Sequence, residues 1–64
     1  MSVEILLRNG FSIFPKESSK VVEDRIKSAV KGKAWGIELD NIYGERVMVS
    51  LDAIDFVRLE PKED

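Results

Sequence analysis

The chain has no cysteine and no histidine. The first absence excludes disulfide staples and thiolate chemistry. The second removes the commonest transition-metal ligand and the usual acid–base switch near neutral pH. Proline occurs twice, glycine four times and tryptophan once, and no apolar run approaches the length of a membrane span. The segment Met1-Ser-Val-Glu-Ile-Leu-Leu-Arg8 carries an acid where a signal peptide would carry bases, and its apolar run is too short for a signal core. A soluble, cytoplasmic protein with no cofactor and no metal is therefore expected. Catalysis is not expected either. The serines have no histidine or cysteine partner and no recognisable nucleophile elbow.

What is present suits a small folded domain. Sixty-four residues make one domain, residues 1–60, ahead of a charged tail, residues 61–64. A 44% hydrophobic content favours folding over disorder. A domain this short buries only about 60% of the surface its unfolded chain exposes, so its stability is marginal unless something is added, although many domains of this length fold alone. Disulfides being absent, oligomerisation is the remaining route. Ten basic and twelve acidic residues are mixed along the chain for a net charge of −2, which argues against a concentrated nucleic-acid-binding face.

Periodicity sets the elements. Val3, Ile5 and Leu7 alternate with Glu4, Leu6 and Arg8, a strand pattern. Asn9-Gly10 is a hairpin signal, and Phe11 to Phe14 reads as a second strand or a bent continuation of the first. Pro15 ends that segment. Ser18 or Ser19 can cap a helix running to about Lys31, with Val22, Ile26, Ala29 and Val30 on its core arc and Gly32 as its stop. Ala34 to Asp40 reads as a strand with Trp35, Ile37 and Leu39 on the core face. Asn41 to Glu45 is a turn with Gly44 at positive φ, and Val47, Val49 and Leu51 face one side of the next strand. Ile54 to Leu59 forms the last. The expected fold is α+β: a small, mostly antiparallel sheet with one helix on one face, in the order ββαβββ, or βαβββ if the first hairpin is one strand.

Two groups of residues stand out as candidate sites. The last strand is apolar on both faces, Ile54 and Phe56 pointing one way and Val57 and Leu59 the other. A strand in a lone small sheet normally buries one face. Leu6, Met48, Val57 and Leu59 are therefore the expected self-association residues, with a dimer as the default and a partner protein as the second binding partner. Closure of the sheet into a small barrel is the plainer alternative for the same pattern.

The second group is Lys31-Gly-Lys-Ala-Trp-Gly36. A phosphate can lie along a glycine backbone and a base can stack on Trp35. Lys31, Lys33 and Trp35, with Tyr43 and Arg46, are the expected residues of an anionic-ligand site, such as a nucleotide site between copies. The spacing does not match a phosphate-binding loop, and helix termination with a core tryptophan explains the same residues one by one. Lys16, Lys20, Lys27 and Lys31 share an arc of the helix. A nucleic-acid stripe is the sharper reading of that arc. Ordinary Lys20–Asp24 and Glu23–Lys27 support of a solvated face is the plainer one. Glu38 with Asp40, and Asp52 with Asp55, are carboxylate pairs that can bind a hard cation, but edge-blunting charges are the simpler account. The leading expectation is a non-catalytic interaction protein acting as a regulator or inhibitor. The anionic-ligand binder is the alternative, and a nucleic-acid module is the weaker third.

Overall fold

The computed structural model describes residues 3–60; the charged tail expected at residues 61–64 lies outside the described residues. Strand β1 (Glu4–Leu7) is followed by strand β2 (Ser12–Ile13), helix α1 (Ser19–Lys31), strand β3 (Gly36–Asp40) and strand β4 (Arg46–Ser50). A single 3₁₀ turn (Leu51–Ala53) then leads into strand β5 (Ile54–Arg58). This is the α+β order ββαβββ. The strands divide between two antiparallel sheets, β2-β1-β5 and β3-β4. An isolated antiparallel bridge, Pro15 to Asn41, joins them. There Lys16 N–H donates to Asp40 C=O at 2.8 Å and Ile42 N–H donates to Phe14 C=O at 2.9 Å.

Turn chemistry closes each hairpin. Gly10 has φ 93° and its N–H donates to Leu7 C=O, so Phe11–Phe14 turns back and pairs with β1 through Ile5–Ile13 and Leu6–Ser12. In the β3–β4 turn, Asn41 is the one buried polar residue among those described. Its Oδ1 accepts from the N–H groups of Tyr43 and Glu45, and its Nδ2 donates to Glu45 Oε1. A buried amide satisfied in this way avoids the cost of an orphaned polar group and pins the loop. Gly44 takes φ 84° there.

Helix α1 starts at Ser18, whose hydroxyl accepts from Val21 N–H. Ser19, the other candidate cap, instead accepts from Glu60 N–H at 2.7 Å and ties the end of β5 to the start of the helix. Both expected surface pairs form, Lys20–Asp24 at 3.5 Å and Lys27–Glu23 at 2.7 Å. The hydrogen bond to Glu23, then its charge, raises the Lys27 pKa. Gly32 is the C-cap but has φ −84°; the left-handed residue is Lys33, at φ 59°. A side chain in that region costs about 1–2 kcal/mol. Lys33→Gly is therefore expected to stabilise the fold by about 0.5–1 kcal/mol, once the extra freedom of glycine in the unfolded chain is set against the relief. A higher urea midpoint at unchanged m-value would show this, and an unchanged midpoint would refute it.

The core takes Val3 and Ile5 from the first strand region, Val22 and Ala29 from α1, Ile37 and Leu39 from β3, and Val49 from β4. Two expected core residues lie outside. Val30 is exposed, because it stands well around the helix from the Val22–Ala29 stripe. Trp35 is 66% exposed, because β3 begins only at Gly36 and Trp35 sits in the bend before it, beyond the end of the packed layer.

The last strand also differs from simple alternation. Its register against β1 pairs Leu6 with Phe56 and Ile5 with Val57, but Leu7 with Ile54, so Asp55 is the extra residue of a bulge. The bulge reverses the parity. Ile54 and Val57 both pack against the core, whereas Phe56 faces out beside Leu6. The two apolar faces expected for Ile54–Leu59 are thus largely one inward face, interrupted by an irregularity.

Candidate functional site

The two residue groups expected to form sites are dispersed within one chain. Of the self-association group, Val57 packs inward for the reason just given. Leu6 is half-buried on the outer face of the three-stranded sheet. Met48, 54% exposed, lies opposite Glu38 on the outer face of the β3–β4 hairpin. Leu59, 37% exposed, lines an apolar groove of about 270 Å³ between β5 and α1, with Ile26, Val57 and the stems of Glu23 and Lys27. Val57 and Leu59 thus line one groove together, while Leu6 and Met48 lie on outer sheet faces.

The anionic-ligand group splits in two. Lys31, Lys33 and Trp35 stand at the C-terminal end of α1 and the start of β3. Tyr43 and Arg46 belong to the far end of the hairpin, roughly 15 Å or more away along an extended strand. Arg46 is also committed. Its Nε donates to Asp40 Oδ1 at 3.1 Å and its Nη1 to Glu38 Oε2 at 3.3 Å. The Asp40 hydrogen bond and charge, then those of Glu38, raise its pKa. A site using all five residues would need the first three from one copy and the other two from another.

A larger concavity than either group offers lies elsewhere. A groove of about 490 Å³ runs between α1 and β3, lined by Val21, Asp24, Arg25 and Ser28 on the helix side and by Gly36, Ile37 and Glu38 on the strand side. It is a shallow groove, open to solvent along much of its length, rather than an enclosed cleft. Ladder geometry explains what the strand offers. Leu51 N–H donates to Trp35 C=O and Asn41 N–H donates to Glu45 C=O, at the two ends of the β3–β4 register. Alternation between those ends sends the backbone groups of Ile37 and Leu39 to β4, and those of Gly36, Glu38 and Asp40 away from it. Asp40 C=O is taken by Lys16 N–H, and Asp40 N–H reaches Glu17 Oε2 at 3.5 Å. Glu38 C=O accepts from Arg25 Nη1 at 2.9 Å. The N–H and C=O of Gly36 and the N–H of Glu38 have no hydrogen-bond partner among the described residues.

A small polar recess of about 80 Å³ continues from the groove past Arg25 and Glu38 to Glu17, Asp40 and Arg46. Arg25 Nη1 also donates to Glu17 Oε2 at 2.8 Å. The other oxygen, Glu17 Oε1, is buried and has no partner among the described residues. Taken together, the groove and recess carry the carboxylates of Glu17, Asp24, Glu38 and Asp40 against the guanidinium groups of Arg25 and Arg46.

Reading the sequence missed this groove, because it depends on where the helix lies against β3. One signal was present. A glycine inside a strand often marks a close approach of backbone, and Gly36 is such a glycine. A Cβ there would sit inside van der Waals contact with Val49 C=O and within 3.2 Å of Ser50 Cα.

Ser12 Oγ donates to Glu4, and the hydroxyls of Ser18 and Ser19 accept backbone N–H groups. Among the described residues no cluster of acidic side chains is arranged to hold a metal ion, and no helix is long and apolar enough to cross a membrane. Comparison of the chain with protein-family models, with curated proteins and with solved structures found no match.

Proposed function

We propose that this protein is a small non-catalytic interaction module that associates with itself and with a partner protein, acting as a regulator or inhibitor. The observation that carries the reading is the amount of large apolar surface outside the core. Among the described residues, more large hydrophobic side chains are exposed than buried. They include Phe11, Trp35, Ile42, Tyr43, Met48 and Phe56, and Tyr43 is 76% exposed. Aromatic residues and methionine are the types enriched at protein interfaces. Scattered single hydrophobics are normal on any surface, but so many on so short a chain favour contacts with other proteins. The engaged serine hydroxyls and the paired charges around Arg46 and Arg25 support binding over catalysis.

Two measurements test this. Native mass spectrometry over a wide concentration range is expected to show a discrete oligomer, with a dimer the default for a self-complementary patch. A photo-crosslinking amino acid placed at Met48, and separately at Trp35, is expected to trap a discrete heavier species in cells. The reading fails if the chain stays monomeric throughout and neither position crosslinks to any protein.

A further inference from the structure

We infer that the α1–β3 groove binds an extended segment of a partner protein, which adds to the free edge of β3 as a further strand and carries basic residues toward the Glu17–Asp40 recess. This rests on the interaction-module reading and specifies its partner.

The edge itself argues for a strand. Gly36 presents both an N–H and a C=O, and Glu38 adds an N–H, on the side of β3 away from β4. An antiparallel neighbour pairs with one residue through both groups and gains a further bond two residues along, which is the spacing of these three groups. Unpaired edge groups are a template for another chain, and strand addition draws its affinity from such main-chain bonds. Arg25 satisfies Glu38 C=O, so pairing stops there and the bound segment is short. The floor beneath it is apolar, formed by Val21, Ala29 and Ile37, and suits alternate β-branched or aliphatic side chains.

Two observations choose the occupant. The edge lies beside α1, so in every copy it is flanked by that copy's own helix. Two copies cannot pair β3 to β3 without bringing their helices together, whereas a segment free on both sides can enter. The charge is also one-sided. Glu17, Asp24, Glu38 and Asp40 are met by Arg25, Lys20 and Arg46, which leaves one carboxylate in excess, and Glu17 Oε1 is a buried acceptor with no donor among the described residues. A lysine or arginine next to the paired stretch supplies the missing donor and the opposite charge.

The test is a titration of isotope-labelled protein, followed by amide NMR, with short synthetic peptides of alternating valine and threonine flanked by lysines. Parallel peptides carry glutamates at the flanks or proline at the centre. The lysine-flanked peptide is expected to shift and protect the amides of Gly36 and Glu38. The glutamate and proline forms are each expected to bind about tenfold more weakly or worse. Ser28→Arg, at an exposed groove position, is expected to weaken binding by a similar factor at unchanged melting temperature. Peptide binding that moves only the Met48 or Phe56 surface, or that ignores the central proline, overturns the groove assignment. Equal binding of lysine and glutamate forms overturns the basic segment. Silence of all the peptides, while crosslinks or oligomers still form, overturns this inference and leaves the broader reading standing. If crosslinks and oligomers are absent too, both fail.

Discussion

Ile5→Ala is expected to cost about 2–5 kcal/mol of stability, the range for truncating a fully buried aliphatic side chain. Ile5 is 0% exposed and stands at the centre of the three-stranded sheet, paired with Ile13 on one side and Val57 on the other. No neighbour can move in to fill the gap without giving up its own strand pairing, so the cavity term adds to the lost transfer energy. A domain of this length has only roughly 3–10 kcal/mol in total, so the variant should be near or past its unfolding midpoint. Urea denaturation followed by circular dichroism measures this directly. A loss well below 1 kcal/mol would show that Ile5 is not packed as described. Trp35→Ala is the matching control. A core tryptophan would cost about 3–5 kcal/mol, but at an exposed position the change should stay within about 0.5 kcal/mol.

Gly36→Ala is the second large effect, and its sign is the informative part. At a backbone position that alanine can adopt, replacing glycine ordinarily stabilises by about 0.4–1 kcal/mol, because the unfolded chain loses freedom. Gly36 is not among the glycines with positive φ, so that gain is formally open to it. The surroundings close it off. The new methyl would press on the Val49 carbonyl and on Ser50 Cα, backbone atoms of the paired strand that cannot rotate away. Overpacking of this kind costs about 1–3 kcal/mol, and more where backbone must shift, so the net effect is destabilising. The disturbance should centre on the start of the β3–β4 hairpin. A lowered urea midpoint with amide shifts concentrated at Val49 and Ser50 is the expected result. A stabilised variant would mean that the two strands are further apart at this point. The same substitution would also move the free edge of β3, so the peptide experiment uses Ser28→Arg instead.

Much of the local structure could be read from residue patterns, and the departures share a cause. The Asn9-Gly10 turn, the Ser18 cap, the Asn41–Glu45 turn with its left-handed Gly44, and the Val22–Ile26–Ala29 stripe all depend on neighbours within a few residues. Such features are set by φ preferences, capping hydrogen bonds and helical period. Parity with Ile37 and Leu39 points Trp35 to the core, but parity cannot say where a packed layer ends. Strict alternation points Val57 outward, and one bulged residue at Asp55 reverses it. Lys33 rather than Gly32 takes the left-handed position, because Gly32 is itself the C-cap of a helix ending at Lys31 and the chain reverses at the residue after the cap.

The candidate sites followed the same division. Lys31, Lys33 and Trp35 are close in the chain and stay close in space, whereas Tyr43 and Arg46 were grouped with them by chemistry alone and lie at the other end of the hairpin. The α1–β3 groove has no sequence signature of its own. It arises because the Pro15–Asn41 bridge covers β3 only near Asp40, while α1 lies alongside Gly36–Glu38 at a distance held by the Arg25–Glu38 carbonyl bond.

The sequence by itself determined the α+β class, the order of elements from the helix onward, the turns and the absence of thiol and imidazole chemistry, because each rests on composition or on contacts between near neighbours. Only the tertiary structure decided that the strands form two sheets, which apolar residues the core accepts, and which backbone groups of β3 remain open. Those outcomes depend on register and on the separation of elements distant in the chain, and no local pattern encodes a distance.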